Sequence, residues 1–154
     1  MYMNRIKTLI LFALCTVMAI ACENGHNNEL PKKPEDKSCF VGSMNVDQND
    51  GTMFTLNDVQ VDYELHDDNT LNFVMYNVKF ASAMPLKLDM VVEGVTYSVD
   101  GNKYTLSGDG IVPYAMGGPF EKFTITRLEG SITDEQMTLS FMCGEYPVTY
   151  SGTK

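Results

Sequence analysis

Between Val59 and Tyr150 apolar and polar residues alternate, and a period of two commits that stretch to β-strands. Val59, Val61, Tyr63 and Leu65 interleave with Gln60, Asp62 and Glu64, so one face is apolar and the other wet. Leu71, Phe73 and Met75 open a second run. Val78 and Phe80 then fall on the opposite parity, which predicts a bulge at Tyr76–Asn77. Leu86, Leu88, Met90 and Val92 form a third run, and Gly94 shifts the parity to Val95, Tyr97 and Val99. Asp100-Gly101-Asn102 supplies the positive φ angles of a tight hairpin. Tyr104 and Leu106 continue the pattern until Gly108 and Gly110 interrupt it.

Further strands are expected around Ile111–Tyr114, Phe123–Ile125, Gly130–Thr133, Met137–Phe141 and Pro147–Ser151. Met116-Gly117-Gly118-Pro119 reads as a loop and Asp134-Glu135 as a turn. No helical period of ordinary length interrupts this succession. Some eight or nine antiparallel strands on short turns need their outer edges covered, and closing the sheet into a barrel removes the edges. The parity shifts at Asn77, Gly94 and Gly108 favour a barrel over an open sandwich, because bulges and glycines turn its corners.

A different pattern precedes the strands. Arg5 and Lys7 are followed by the apolar run Thr8–Ile20, too short at thirteen residues for a bilayer core, which needs about 20. Residues 1–21 have the form of a secretory signal. Ala19-Ile20-Ala21-Cys22 resembles a bacterial lipobox, with alanine where leucine is commoner. The resemblance implies cleavage before Cys22, its lipidation, and a membrane partner reached through that anchor. Residues 22–38 are polar, with Pro31 and Pro34, and are expected to be a flexible tether. Residues 39–154 form the single folded domain. The formal charge of −9 becomes −11 without Arg5 and Lys7, which argues against nucleic acid as a partner.

The strand pattern and several turns together resemble the calycin-like, lipocalin-like β-barrel domain of bacterial lipoproteins. The residues that carry the resemblance are Phe40-Val41-Gly42, Val59-Gln60-Val61, Asp68-Asn69-Thr70-Leu71 and Asn77-Val78-Lys79-Phe80. Met84-Pro85-Leu86, Val92-Glu93-Gly94-Val95, Leu128-Glu129-Gly130-Ser131-Ile132 and Val148-Thr149-Tyr150-Ser151-Gly152 extend it. It implies an all-β fold: a single antiparallel calycin-like barrel of about eight strands after a signal and tether. It also implies a lean towards apolar ligands, but brings no catalytic motif; the lipobox, followed by Glu23 rather than aspartate, resembles that of outer-membrane lipoproteins and implies a lipid-anchored cell-envelope location.

Chemistry-bearing residues are sparse. His26 falls in the tether and His66 in a turn, and no nucleophile-elbow sequence surrounds Ser82, Ser98 or Ser107. The expectation is a protein that is not an enzyme and has no cofactor. Asp47-Gln48-Asn49-Asp50-Gly51 resembles the start of a calcium loop, but Gly51 stands fifth rather than sixth and Asp58 takes the twelfth place. It reads as a turn, and so does His66-Asp67-Asp68, so no metal site is expected. Asp62 and Glu64 share the wet face of their strand.

Cys39 and Cys143 leave two readings open: a disulfide closing a loop of about 100 residues, or Cys143 as a small buried residue continuing Met137, Leu139 and Phe141. The apolar interior is the feature able to host a ligand. Tyr63, Phe73, Met75, Met90, Tyr104 and Phe141 are the candidate lining of a site for a small apolar molecule, with Ala115–Phe120 as a flexible lip. A charged residue at Met90 or Phe141 would then abolish binding without unfolding the domain. The alternative is a filled barrel acting as an interaction scaffold for an envelope protein or glycan.

Overall fold

The computed structural model describes residues 38–154. The signal, Cys22 and nearly all of the tether lie outside the described residues. Ten strands run in chain order: β1 (Ser38–Asp47), β2 (Met53–Leu65), β3 (Thr70–Val78), β4 (Leu88–Asp100), β5 (Lys103–Gly108), β6 (Tyr114–Ala115), β7 (Gly118–Pro119), β8 (Ile125–Ile132), β9 (Gln136–Cys143) and β10 (Tyr146–Thr153). A single 3-10 turn, Glu121–Phe123, precedes β8. Eight of the strands close an antiparallel ring in the order β1-β2-β3-β4-β5-β8-β9-β10, with β10 returning to β1. The closing seam runs from Val41↔Thr153 to Val46↔Val148. The small β6–β7 hairpin lies outside the ring and joins β4 through Val91↔Tyr114.

Alternation puts Phe40, Met44 and Val46 of β1, Leu71, Phe73 and Met75 of β3, and Met137, Leu139, Phe141 and Cys143 of β9 into one core. Each large apolar side chain buried there contributes about 1.5–3 kcal/mol relative to exposure. That gain sets against the entropy of ordering a sheet whose contacts are mostly distant in sequence.

Four bulges bend the strands into a ring. Asn77 has φ 54° and its N–H donates to Asp89 Oδ1 at 2.9 Å, where the register between β3 and β4 shifts. Gly94 has φ 73° and its N–H donates to Asn72 Oδ1 at 2.9 Å. These two parity shifts were legible in the sequence. The third was not at Gly108, where β5 simply ends. It lies on the neighbouring strand at Arg127, φ 52°, whose N–H donates to Asp109 Oδ1 at 2.9 Å. The fourth, Asp58 at φ 57°, sits on β2 opposite the shift between Gly42 and Met44.

Other differences have local causes. Leu86 does not open β4: the strand starts at Leu88, and Leu86 is 63% exposed in the preceding loop. Met116–Pro119 is not an open loop. Met116 and Gly117, at φ 54° and 85°, form the two-residue turn of the β6–β7 hairpin. Phe123 belongs to the 3-10 turn rather than to a strand.

The register sorts the connections between two ends. One end carries the start of β1, the turns after β2, β4 and β8, and the end of β10. The other carries the turn after β1, the loop between β3 and β4, the long β5–β8 connection and the turn after β9. Aromatic rings cap this second end: Phe123 lies 5.3 Å from Phe80 and 4.9 Å from Phe120, centroid to centroid. Gln48 ties the cap to β1, donating to the Phe80 carbonyl at 3.3 Å and accepting from the Ser82 N–H at 3.1 Å.

Candidate functional site

The six candidate ligand residues divide into a packed set and a rim. Met75 pairs with Met90 and Phe73 with Tyr63 in the ladders, so these four come together on three adjacent strands. Phe141 projects from β9, which lies opposite β3 in the eight-strand ring. Phe73, Met75 and Met90 are 0% exposed and Phe141 2%, so a sphere the size of water finds almost no room against them. Tyr63 and Tyr104 are half-buried near the end where β1 begins. Tyr63 stacks on Phe40 at 6.1 Å and Tyr104 meets Tyr97 edge-on at 5.5 Å.

A ligand-binding interior also needs a few convergent polar groups with spare hydrogen-bonding capacity. The buried Tyr150 hydroxyl is already engaged, donating towards the carbonyls of Phe40 at 3.1 Å and Val59 at 3.2 Å. Among the described residues no buried side-chain nitrogen or oxygen lacks a partner. The Ala115–Phe120 segment expected as a lip holds the β6–β7 hairpin turn; the neighbouring Tyr114 pairs with Val91 of β4, and the Phe120 N–H donates to the Pro113 carbonyl at 2.7 Å.

Cys39 and Cys143 are free thiols, which corrects the disulfide reading. Cys39 lies two positions beyond Val41, which pairs with Thr153 at the end of β10, and Cys143 pairs with Tyr146 at its start, so the length of a strand separates them, roughly 30 Å at a strand rise of about 3.3 Å per residue. Cys143 points into the core, where burial pushes its thiol pKa far up. Partial burial and the neighbouring Asp62 carboxylate raise that of Cys39.

The acidic turns are closed by their own hydrogen bonds. Asp47 Oδ1 accepts from the Asn49 N–H at 2.8 Å, and Asp50 Oδ1 from the Thr52 N–H at 2.8 Å. Asp68 Oδ1 accepts from the Thr70 N–H at 3.1 Å. The threonine hydroxyls add to this and hold the Asp50 and Asp68 carboxyls below the usual carboxylate range. Among the described residues no three His, Cys, Asp or Glu side chains converge to hold a metal. Asp62 accepts from Gln60 Nε2 at 3.0 Å and from the Tyr76 hydroxyl at 3.3 Å on the outer wall, and Glu64 is exposed.

One surface feature was not read from the sequence. Thr96, Ser107, Gly108, Asp109, Arg127, Leu128 and Glu129 line an open groove of about 460 Å³. It belongs to the outer wall where β4, β5 and β8 adjoin and β5 ends. None of the six ligand candidates lines it. Its one sequence signal was Arg127, the single arginine after residue 21. The groove itself depends on the pairing of β5 with β8, which brings Ser107 and Gly108 beside Glu129 and Leu128. No family model matches the chain, and neither the curated proteins nor the solved structures contain a match.

Proposed function

We propose that this chain is a lipid-anchored, non-enzymatic interaction module of a bacterial cell envelope, in which a filled calycin-like barrel presents its outer wall to a partner. The observation that carries this reading is the packed interior: Phe73, Met75 and Met90 leave no space beside them for a ligand. The lipobox-like Ala19-Ile20-Ala21-Cys22 supports the anchor, and Glu23 in place of aspartate after it supports outer-membrane placement. The closed eight-strand ring agrees with the calycin-like resemblance.

Native mass spectrometry of the mature protein, released gently from its own membranes, tests the reading. The expected mass is that of the chain and its lipid alone. An additional mass that leaves on denaturation would overturn the filled-barrel module in favour of a carrier. In the carrier reading the packing confines a small apolar molecule to the barrel mouth. Tyr63 and Tyr104 are half-buried there, and Leu65 and Val99 are exposed at the ends of their strands.

A further inference from the structure

The four bulges provide an internal comparison. Three place Asp58, Asn77 and Gly94 at positive φ, residue types that tolerate the left-handed region. The fourth places Arg127 there, at φ 52°. A long side chain without an amide or carboxylate on Cβ gains nothing from that conformation, and strain of this kind gathers where a side chain has work to do. Packing does not offset the strain, because Arg127 is exposed. Among the described residues its position is held through the backbone N–H bond to Asp109.

We propose that the groove around Arg127 binds a neutral saccharide through neighbouring ring hydroxyls. The proposal deepens the interaction-module reading and rests on it, by naming the class of partner its outer wall takes. The groove is lined by one arginine, Arg127, and by two carboxylate side chains, Asp109 and Glu129. An anion meets net negative charge there, and an apolar group strands the polar side chains. A sugar diol satisfies both signs, since each hydroxyl donates to a carboxylate and accepts from the guanidinium. Asp109 uses Oδ1 on Arg127, and its other oxygen has no donor among the described residues. Thr96 Oγ1 and Ser107 Oγ, 3.0 Å apart, add a hydroxyl pair on the groove wall. Gly108, without a side chain, leaves room for the face of a sugar ring against the groove floor.

The test is an NMR titration of the 15N-labelled mature protein with methyl glucoside, methyl galactoside, methyl mannoside and N-acetylglucosamine, with glucuronate as the charged control. At least one neutral sugar should shift Thr96, Ser107–Asp109 and Arg127–Glu129 saturably, and glucuronate should bind more weakly. Arg127→Gly relieves the backbone while removing the guanidinium, so it should abolish the shifts at an equal or higher thermal midpoint. Glu129→Gln, on an exposed strand position, should weaken binding about tenfold, the loss of one charge-assisted hydrogen bond. Three results would overturn the proposal: no saturable shift with any neutral sugar, unchanged shifts in Arg127→Gly, or a preference for glucuronate. Native mass spectrometry of the same sample reports separately on the interior, so failure of the groove and failure of the filled-barrel reading are distinguishable.

Discussion

The Tyr150 hydroxyl occupies the space in which Gly152, two residues along β10, would carry a Cβ. From there it reaches the Phe40 carbonyl of β1 at 3.1 Å and the Val59 carbonyl of β2 at 3.2 Å. One phenol therefore spans the seam at which the barrel closes. Gly152 faces Gly42 across that seam, and a Cβ on Gly42 would strike the Ser151 carbonyl. Gly152→Ala should lower stability by about 2 kcal/mol or more through overpacking. Tyr150→Phe should cost about 1–3 kcal/mol by leaving buried carbonyls without their donor. In urea unfolding the double variant should lose less than the two single losses together, because both changes act on one contact. Strict additivity would refute the coupling.

Met90 and Phe141 provide a second prediction. Both are buried in the core, Met90 at 0% and Phe141 at 2% exposure, so a charged residue at either position should unfold the domain rather than empty a site. Met90→Ala should cost about 2–5 kcal/mol as a cavity-forming change. A folded Met90→Lys variant with an unchanged near-UV circular dichroism spectrum would contradict the packing.

Met116 stands at φ 54° in a two-residue hairpin turn and is 76% exposed. Asparagine or glycine suits that conformation better. Met116→Asn should therefore raise stability by about 0.5–1 kcal/mol, measured as a shift of the urea midpoint at constant slope. A loss would mean that the methionine makes a contact its exposure does not suggest.

The pH dependence has two arms. Burial, with the Asp62 carboxylate adding to it, pushes the Tyr76 pKa up to about 12 from an ordinary 10.0. A folded pKa above the unfolded one gives stability that is complete below pH 10 and is lost as pH rises through 12. At the acid end, Asp50 and Asp68 have folded pKa values below 3.8, so their contribution is present above that pH and lost as pH falls further. Tyrosinate absorbance during alkaline titration should show Tyr76 and Tyr150 ionising late, Tyr150 because burial raises its pKa further still. A single transition of all seven tyrosines after residue 21 near pH 10 would remove the alkaline arm.

Thiol chemistry offers a separate check. Cys39 is half-buried and Cys143 wholly buried. In the folded protein a disulfide-exchange reagent should modify Cys39 slowly and Cys143 not at all, and both after denaturation. A mass two hydrogens short in the unreduced protein, traced to a Cys39–Cys143 peptide, would contradict the register of β9 and β10.

The sequence alone determined the strand class, the bulge at Asn77, the shift at Gly94 and the Asp100-Gly101 turn, because each depends on a side-chain period or on φ preferences within a few residues. Alternation also marked Phe73, Met75, Met90 and Phe141 as one inward-facing set. It left β1 unread, since Phe40, Met44 and Val46 are separated by the featureless Gly42 and Ser43, and the bulge at Asp58 hid the first half of β2. Tertiary structure decided what inward meant. Whether those side chains line a cavity or fill it depends on how the opposite walls of the ring meet. That closure also separated Cys39 from Cys143 and opened the groove at Arg127, since both follow from pairings between strands distant along the chain.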